Sequence, residues 1–322
     1  MNEKDVLIET LSEKLLEEGR YLIAVSGGLD SMSLLHGLLR LQKGMSLTLE
    51  VAHVDHGLRE ASEDERAFVE ECCMEHGIPC HATRLPERPA GENLENWGRQ
   101  WRYAFFEQVL GERNLDWILT AHHQQDLVET LLMRILSNKE PRALPERNEK
   151  LRALRPILGL SREDLEEYSR HHGVQYREDE SNRDEGFLRN RVRHSLLPFL
   201  RDRFGSSVLE NLSSQSRSLE EELSALDVLA EERTASLSGM EFGSKSWLRA
   251  LRVVLEGVPV AIGCRVVRRL FLPHTQSPLS RYSSRQLRDF LLSSNVAIQL
   301  PNALEVRRKD GGIVLKELKA EC

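Results

Sequence analysis

The sequence predicts an α/β protein: a parallel sheet of about five strands with helices on both faces, then a mainly helical C-terminal domain ending in a β-hairpin. Three observations carry this expectation. β-rich apolar runs alternate with helix-period stretches through the first half, leucines recur at helical spacing across 206–240, and Asp310-Gly311-Gly312 separates two alternating runs near the end. A chain of 322 residues is about twice the usual length of one domain, so two are expected, 1–205 and 206–322.

The opening stretch, MNEKDVLIETLSEKLLEEGR, reads as an acidic amphipathic helix. It has neither the basic start nor the apolar stretch of a secretory leader, which predicts a cytoplasmic protein. YLIAV (21–25), LTLEVAHV (47–54), CHATRL (80–85) and WILTAH (117–122) read as strands, each followed by a helical pattern. In such sheets ligands bind beyond the carboxyl ends of the strands, so the residues just after each run are candidate sites. The polar segment 137–150 carries two prolines and reads as a loop, after which LRALRPIL supplies a last strand and SREDLEEYSRHHG a short helix. Leucines among Ser and Glu across 206–240 indicate a long helix or helix pair; WLRALRVVL and AIGCRVVRRLF are further helices, and LEVRRKDGGIVLKEL is the hairpin.

Composition excludes several classes. Hydrophobic residues at 40%, charged residues at 30% and the lack of an apolar run of ~20 residues exclude a membrane-spanning helix. Cys72 and Cys73 are adjacent and no CxxC occurs among the five cysteines, so neither a disulfide framework nor a zinc ribbon is indicated. The formal charge of −7 leaves nucleic-acid binding to local basic stripes. FLRNRVRHSLLPFLRDR (187–203) is such a stripe, a basic amphipathic helix on which Arg189, Arg193 and Arg201 could hold RNA backbone or pyrophosphate; the plain alternative is a solvated face. Further clusters stand at Arg265, Arg268 and Arg269, at Arg281, Arg285 and Arg288, and at Arg307, Arg308 and Lys309, giving a discontinuous RNA track.

Ser26-Gly27-Gly28-Leu29-Asp30-Ser31 lies between a strand and a helical segment, where a phosphate-binding turn belongs. Glycines allow close backbone approach, and the helix N-terminus adds about half a positive charge. No lysine follows, unlike the loops that grip a γ-phosphate. On a helix, His122, Asp126 and Glu129 would share one face at the end of the fourth strand, and two carboxylates there invite a cation. A dedicated transition-metal site is not expected, since no further His/Cys cluster accompanies them. His53, Asp55 and His56 end the second strand, where they shape the turn, contact adenosine, act as a base or do nothing specific.

The loop SGGLDS resembles the PP-loop of the ATP pyrophosphatases, and further stretches are similar to one member, the tRNA(Ile)-lysidine synthetase family. They are His53-Val54-Asp55-His56-Gly57-Leu58-Arg59, Leu94-Glu95 with Arg99, Arg102 and Tyr103, and Thr120-Ala121-His122-His123 through Asp126, Glu129 and Thr130. Arg155-Pro156 and Asp179-Glu180-Ser181-Asn182 followed by Arg189-Asn190-Arg191-Val192-Arg193 complete the match over about residues 20–200. The resemblance implies an adenine nucleotide alpha-hydrolase-like fold and ligation of lysine to the wobble cytidine of a tRNA(Ile) with a CAU anticodon. ATP would adenylate the C2 oxygen of cytosine, releasing pyrophosphate, and the ε-amine of L-lysine would displace AMP. It also implies catalytic roles for Asp30, Arg102, Asp126 and Glu129, and ATP contacts from Ser26, Gly27, Gly28, Leu29, Asp30, Ser31 and His53. Lysine would bind Asp126 and Glu129, and Arg189 and Arg193 would contact tRNA or phosphate. Mg²⁺ is expected on the ATP phosphates with Asp30 as a candidate partner; the C-terminal domain would bind tRNA, and a homodimer is compatible.

Two alternatives stay open: another PP-loop ATP pyrophosphatase acting on tRNA, or a non-catalytic tRNA-binding paralogue. The pattern departs from the family at Gln125, where an aspartate is usual, and at Ser137-Asn138-Lys139-Glu140, where a glycine-serine-glycine loop is common. Gly98 and Trp101 stand where alanine-like residues are common.

Overall fold

The structure, a computed structural model, describes residues 5–55, 61–89, 91, 94–177, 188–275, 278–301 and 303–317. It divides into two compact units, one of residues 1–130 with 144–214 and one of 131–143 with 215–322.

The first unit is built on β1 (Arg20–Ala24), β2 (Thr48–Asp55), β3 (Cys80–Arg84), β4 (Trp117–Thr120), β5 (Arg147–Asn148) and β6 (Ala153–Leu154), in the order β3-β2-β1-β4-β6-β5. All neighbours are parallel except β5 and β6. Alternation along β1 sorts the core. Tyr21 and Ile23 join one cluster with Leu7 and Leu11 of α1 (Val6–Lys14), Leu34, Leu35 and Leu38 of α2 (Leu29–Gln42), Val69 of α3 (Ala61–Glu75) and Leu165 of α6 (Arg162–His172). Leu22 joins the other, with Phe106, Val109 and Leu110 of α4 (Leu94–Arg113). Helices on both faces follow from strands that are apolar on both. Trp101, large for its place, stacks on Phe105 at 6.0 Å between ring centres, one turn along the same helix.

The last expected strand is shorter than its apolar run suggested: after Ala153–Leu154 the chain turns at Pro156, which cannot donate to a ladder. The antiparallel edge β5 lies inside the expected loop. α5 (Gln124–Leu136) follows β4, and α7 (Leu188–Arg191), a π-helical turn (Val192–Leu196) and α8 (Leu197–Phe204) follow in place of one continuous basic helix. The long helix α9 (Val208–Thr234) is present as expected.

In the second unit, α10 (Lys245–Glu256), α11 (Val260–Phe271) and α12 (Arg281–Leu292) surround Trp247, Leu251, Val266, Val267, Phe271, Leu287 and Leu291. The terminal hairpin, β8 (Leu304–Lys309) with β9 (Gly312–Glu317), carries a third strand, β7 (Ala297–Leu300), antiparallel to β8. Among the described residues no helix is long and apolar enough to cross a membrane.

Candidate active site

The strand order places β1 between β2 and β4, so the connections leaving β1 and β4 run to opposite sides and open a crevice at their carboxyl ends. The glycine turn follows β1 and the start of α5 follows β4, which brings the two most promising stretches of sequence to one place. Gly27 sits at φ +90°, a conformation side chains disfavour. Gly28 caps α2 with no side-chain bond to the helix, so the first-turn N–H groups keep their capacity for an anion. Ser31 fixes the turn from inside: its hydroxyl donates to the Gly28 carbonyl at 3.0 Å and accepts from the Ser26 N–H at 3.2 Å. His53, 2% exposed, points its Nδ1 at the Val25 carbonyl at 2.9 Å, while its buried Nε2 has no partner. With the proton on Nδ1, Nε2 is a bare acceptor behind the turn, and burial holds the imidazole below its usual pKa.

At the end of β4, His123 precedes α5, and Asp126 three residues on accepts the His123 N–H at 2.9 Å. This is half of a capping box and starts the helix after the histidines. His122 therefore lies outside the helix and bonds Thr120 at 2.8 Å, whereas His123, 2% exposed, stands 3.7 Å from Asp30 and 3.8 Å from Asp126. Burial depresses the His122 pKa to about 3, keeping it neutral. Asp30, on the first turn of α2, also has both oxygens 3.3 Å from Arg162 on the first turn of α6. Burial pushes its carboxyl up, against the pull of His123 and Arg162.

Asp126 and Glu129, 6% and 0% exposed, face inward together and meet the two arginines of the basic segment. Arg189 donates to Glu129 at 2.9 Å and to Asp126 at 2.5 Å. Arg193 donates to the two Glu129 oxygens at 2.6 and 3.0 Å and reaches Asp126 at 3.4 Å. Gln125 adds an amide donor to Glu129 at 3.1 Å. Although burial opposes ionisation, His123, His122 and Arg189 hold the Asp126 carboxyl down at about 2. Arg189 and Arg193, expected from sequence to contact tRNA or phosphate, are half-buried members of an ionic quartet with Asp126 and Glu129.

Residues 3–200 match the family described as a PP-loop domain. The chain belongs to that family. Three curated relatives are each named tRNA(Ile)-lysidine synthase. The protein of Symbiobacterium thermophilum is 37% identical over 270 residues, covering 79% of this chain and 55% of its own. The proteins of Thermotoga sp. (36% over 197 residues; 58% of this chain, 47% of that one) and Streptococcus pyogenes (36% over 209; 62% and 46%) agree. The chain spans about half the length of the curated relatives it matches. Among solved structures, the U34-tRNA thiolase NcsA from Methanococcus maripaludis with its 4Fe-4S cluster shares the fold at TM-score 0.57 and 14% identity, over 67% of this chain and 78% of that one.

Of the remaining residues singled out in this PP-loop chain, Arg102 lies within the field of Arg189 and Arg155 within that of Asp126. Each has a buried Nε without a partner, and burial lowers both guanidinium pKa values. Arg155 is 1% exposed and donates to the Pro145 carbonyl at 2.6 Å. His56, Gly57, Leu58 and Arg59, and Asp179, Glu180, Ser181 and Asn182, lie outside the described residues. His123 was named from sequence only within its motif and given no role, and Arg162, on the first turn of α6, was missed. The signal for Arg162 is its place directly after Ser161, the N-cap of a full capping box with Asp164.

Within the second unit, the altered loop is held by charge. Glu140 accepts from Arg265 at 2.8 Å, Arg268 at 3.0 Å and Arg142 at 3.0 Å; Arg142 also grips Glu220 at 3.2 Å and Asp227. A cleft of about 630 Å³ beside them carries Arg134, Lys139, Arg269 and Arg281. The basic track expected from sequence is partly internal: Arg265 is 6% exposed, and Arg308 donates to the Phe290 and Ser293 carbonyls at the end of α12.

Proposed function

We propose that the protein is a tRNA(Ile)-lysidine synthetase, joining L-lysine to the wobble cytidine of a tRNA(Ile) with a CAU anticodon at the cost of ATP. The observation that carries this reading is the juxtaposition, at one switch point, of a phosphate-ready glycine turn and a buried carboxylate pair. The names of the relatives support it. In this reading the N–H groups of residues 28–31 take the ATP phosphates and His53 Nε2 accepts a hydrogen bond from the adenosine. The orphaned atoms there suit such a ligand.

Asp30 is the oxygen donor placed to hold Mg²⁺, which would neutralise phosphate charge. Attack by the C2 oxygen of cytosine on the α-phosphorus forms an adenylate and expels pyrophosphate. The ε-amine of lysine then attacks C2, AMP departs, and lysidine remains. Because a free ε-amine has a pKa near ~10.4, the neutral form must be favoured; the charges of Arg102, in the field of Arg189, and Arg155, in that of Asp126, would disfavour a second positive charge. Asp126 and Glu129 hold the amino acid by its ammonium. The cationic cleft in the second unit and the residues after about 206 bind tRNA backbone, and all this takes place in the cytoplasm.

A thiolase reading has less support from geometry. Cys72 and Cys73 lie on α3 and Cys80 opens β3, two strands from the glycine turn. The test is incubation with ATP, labelled lysine and candidate tRNAs. AMP and pyrophosphate should form, with lysine incorporated into tRNA(Ile) of CAU anticodon; ADP and phosphate as products would refute the reading.

A further inference from the structure

Of the acids assigned above to lysine, Glu129 has no vacancy. Glu129 Oε1 accepts from Arg193 and Gln125, and Oε2 from Arg189 and Arg193. Asp126 Oδ1 accepts from both arginines, and Oδ2 takes the His123 N–H. A carboxylate offers about four lone-pair positions; all four are taken on Glu129 and three on Asp126. An ammonium can take Glu129 only if a guanidinium leaves. Leaving is costly on its own, because two buried carboxylates and two arginines balance each other, and a displaced guanidinium stays only where another anion receives it.

One arginine is better placed to leave. Arg189 holds both acids closely, at 2.5 Å to Asp126 and 2.9 Å to Glu129, whereas Arg193 is close to Glu129 alone and stands 3.4 Å from Asp126. Arg193 sits on the π-helical turn, a geometry that recurs where helices adapt to function, and its charge acts on Asp30 at the glycine turn. An anion at that turn is therefore within the field of Arg193, with Glu129 on its other side.

We propose that Arg193 is an exchange residue: it closes the acid pair while the glycine turn is empty and passes to a phosphate when nucleotide binds, opening Glu129 to the ammonium of lysine. The inference rests on the lysine-ligase reading and adds an order to it, in which nucleotide prepares the lysine site. Charge stays balanced throughout, since the phosphate takes the guanidinium and the ammonium takes its place. Arg193 is thus a positioning residue that sets when lysine binds. By thermodynamic reciprocity, lysine must tighten nucleotide by the factor by which nucleotide tightens lysine.

Calorimetric titration of lysine into the full chain tests this without tRNA, first alone, then with saturating pyrophosphate, then with a non-hydrolysable ATP analogue and Mg²⁺. The expected result is a lysine Kd lowered about 10- to 100-fold by the analogue, the range of one exchanged charge-assisted hydrogen bond. In Arg193→Gln the lysine Kd should be nearly the same with and without nucleotide. A wild-type lysine Kd indifferent to both anions overturns the exchange while leaving the lysine site standing. Cadaverine, which lacks the carboxylate, should show the same coupling as lysine; if only lysine binds, and equally well without nucleotide, its own carboxylate is taking the arginine and the proposal fails. Lysine binding absent under every condition, with analogue binding intact, defeats the lysine-ligase reading itself.

Discussion

Replacing Asp126 by asparagine removes one charge with almost no change of shape, and the structure sets what that costs. One carboxylate oxygen serves Arg189 and Arg193 and the other receives the His123 N–H. Asparagine has one oxygen, so whichever way it turns, its amide meets a donor. A buried donor left without an acceptor costs about 1–3 kcal/mol. The native carboxyl is held at about 2 against an ordinary 3.8, which by linkage corresponds to about 2 kcal/mol of stability at neutral pH. These contributions overlap, so Asp126→Asn should lose about 2–4 kcal/mol. The depressed carboxyl contributes fully above the unfolded value and loses its contribution as pH falls through the folded one. The gap between wild type and variant should therefore be steady down to about pH 4 and narrow toward pH 2. Urea unfolding followed by tryptophan fluorescence reads it, because Trp97, Trp101 and Trp117 all belong to the first unit. Lysine kcat/KM should fall about 10- to 150-fold with nucleotide affinity largely kept. An unchanged urea midpoint at pH 7, or collapse of ATP affinity with normal lysine kinetics, would refute this account of the quartet.

Further outcomes follow from other sites. His122, held neutral to about 3, takes up its proton in the unfolded chain first. Stability should therefore fall by roughly 1.4 kcal/mol per pH unit below about 6.5 on its account, and His122→Asn should flatten the pH-stability curve across that window. Gly27→Ala has room for its Cβ, 3.6 Å from Val69, but not the backbone preference for φ +90°. It should cost about 1–2 kcal/mol in thermal unfolding and weaken ATP binding as the turn relaxes. Glu140→Ala removes one of the two acids that pair the buried Arg265, which keeps Asp227 at 2.6 Å, and should destabilise the second unit by about 1–3 kcal/mol while ATP binding in the first persists. A fragment ending near 205 carries residues 131–143 without the unit they pack in. It should bind ATP and lose tRNA affinity, yet aggregate more than the full chain; wild-type tRNA affinity in that fragment would refute the assignment of tRNA binding to residues after 206.

The four strands β1 to β4 were legible because each β-rich run is followed by a helical pattern. β6 was misjudged in length, since LRALRPIL has the composition of a strand while the turn at Pro156 limits it to Ala153–Leu154. Glu129 was legible as an inward acid from its spacing after Asp126. Its counter-ions were not, because Arg189 and Arg193 lie 60 and 64 residues away and the same basic pattern serves equally for a solvated face. Likewise Glu140 read only as a departure within a loop, since nothing local announces that Arg265 and Arg268 will close on it.

The two departures from the family's pattern have a common physical logic. Where a second aspartate is usual, a third carboxylate beside Asp126 and Glu129 would leave two guanidiniums facing three buried acids. Gln125 instead gives Glu129 a neutral donor at 3.1 Å, and the quartet balances by itself. The family's small loop residues permit close approach of backbone, whereas Glu140 trades that freedom for an anchor among three arginines. The first change omits a buried acid, and the second adds one, Glu140, whose charge three arginines cover. A chain carrying −7 overall can hold RNA only if its acids are paired or buried where the RNA would lie, and at both departures they are.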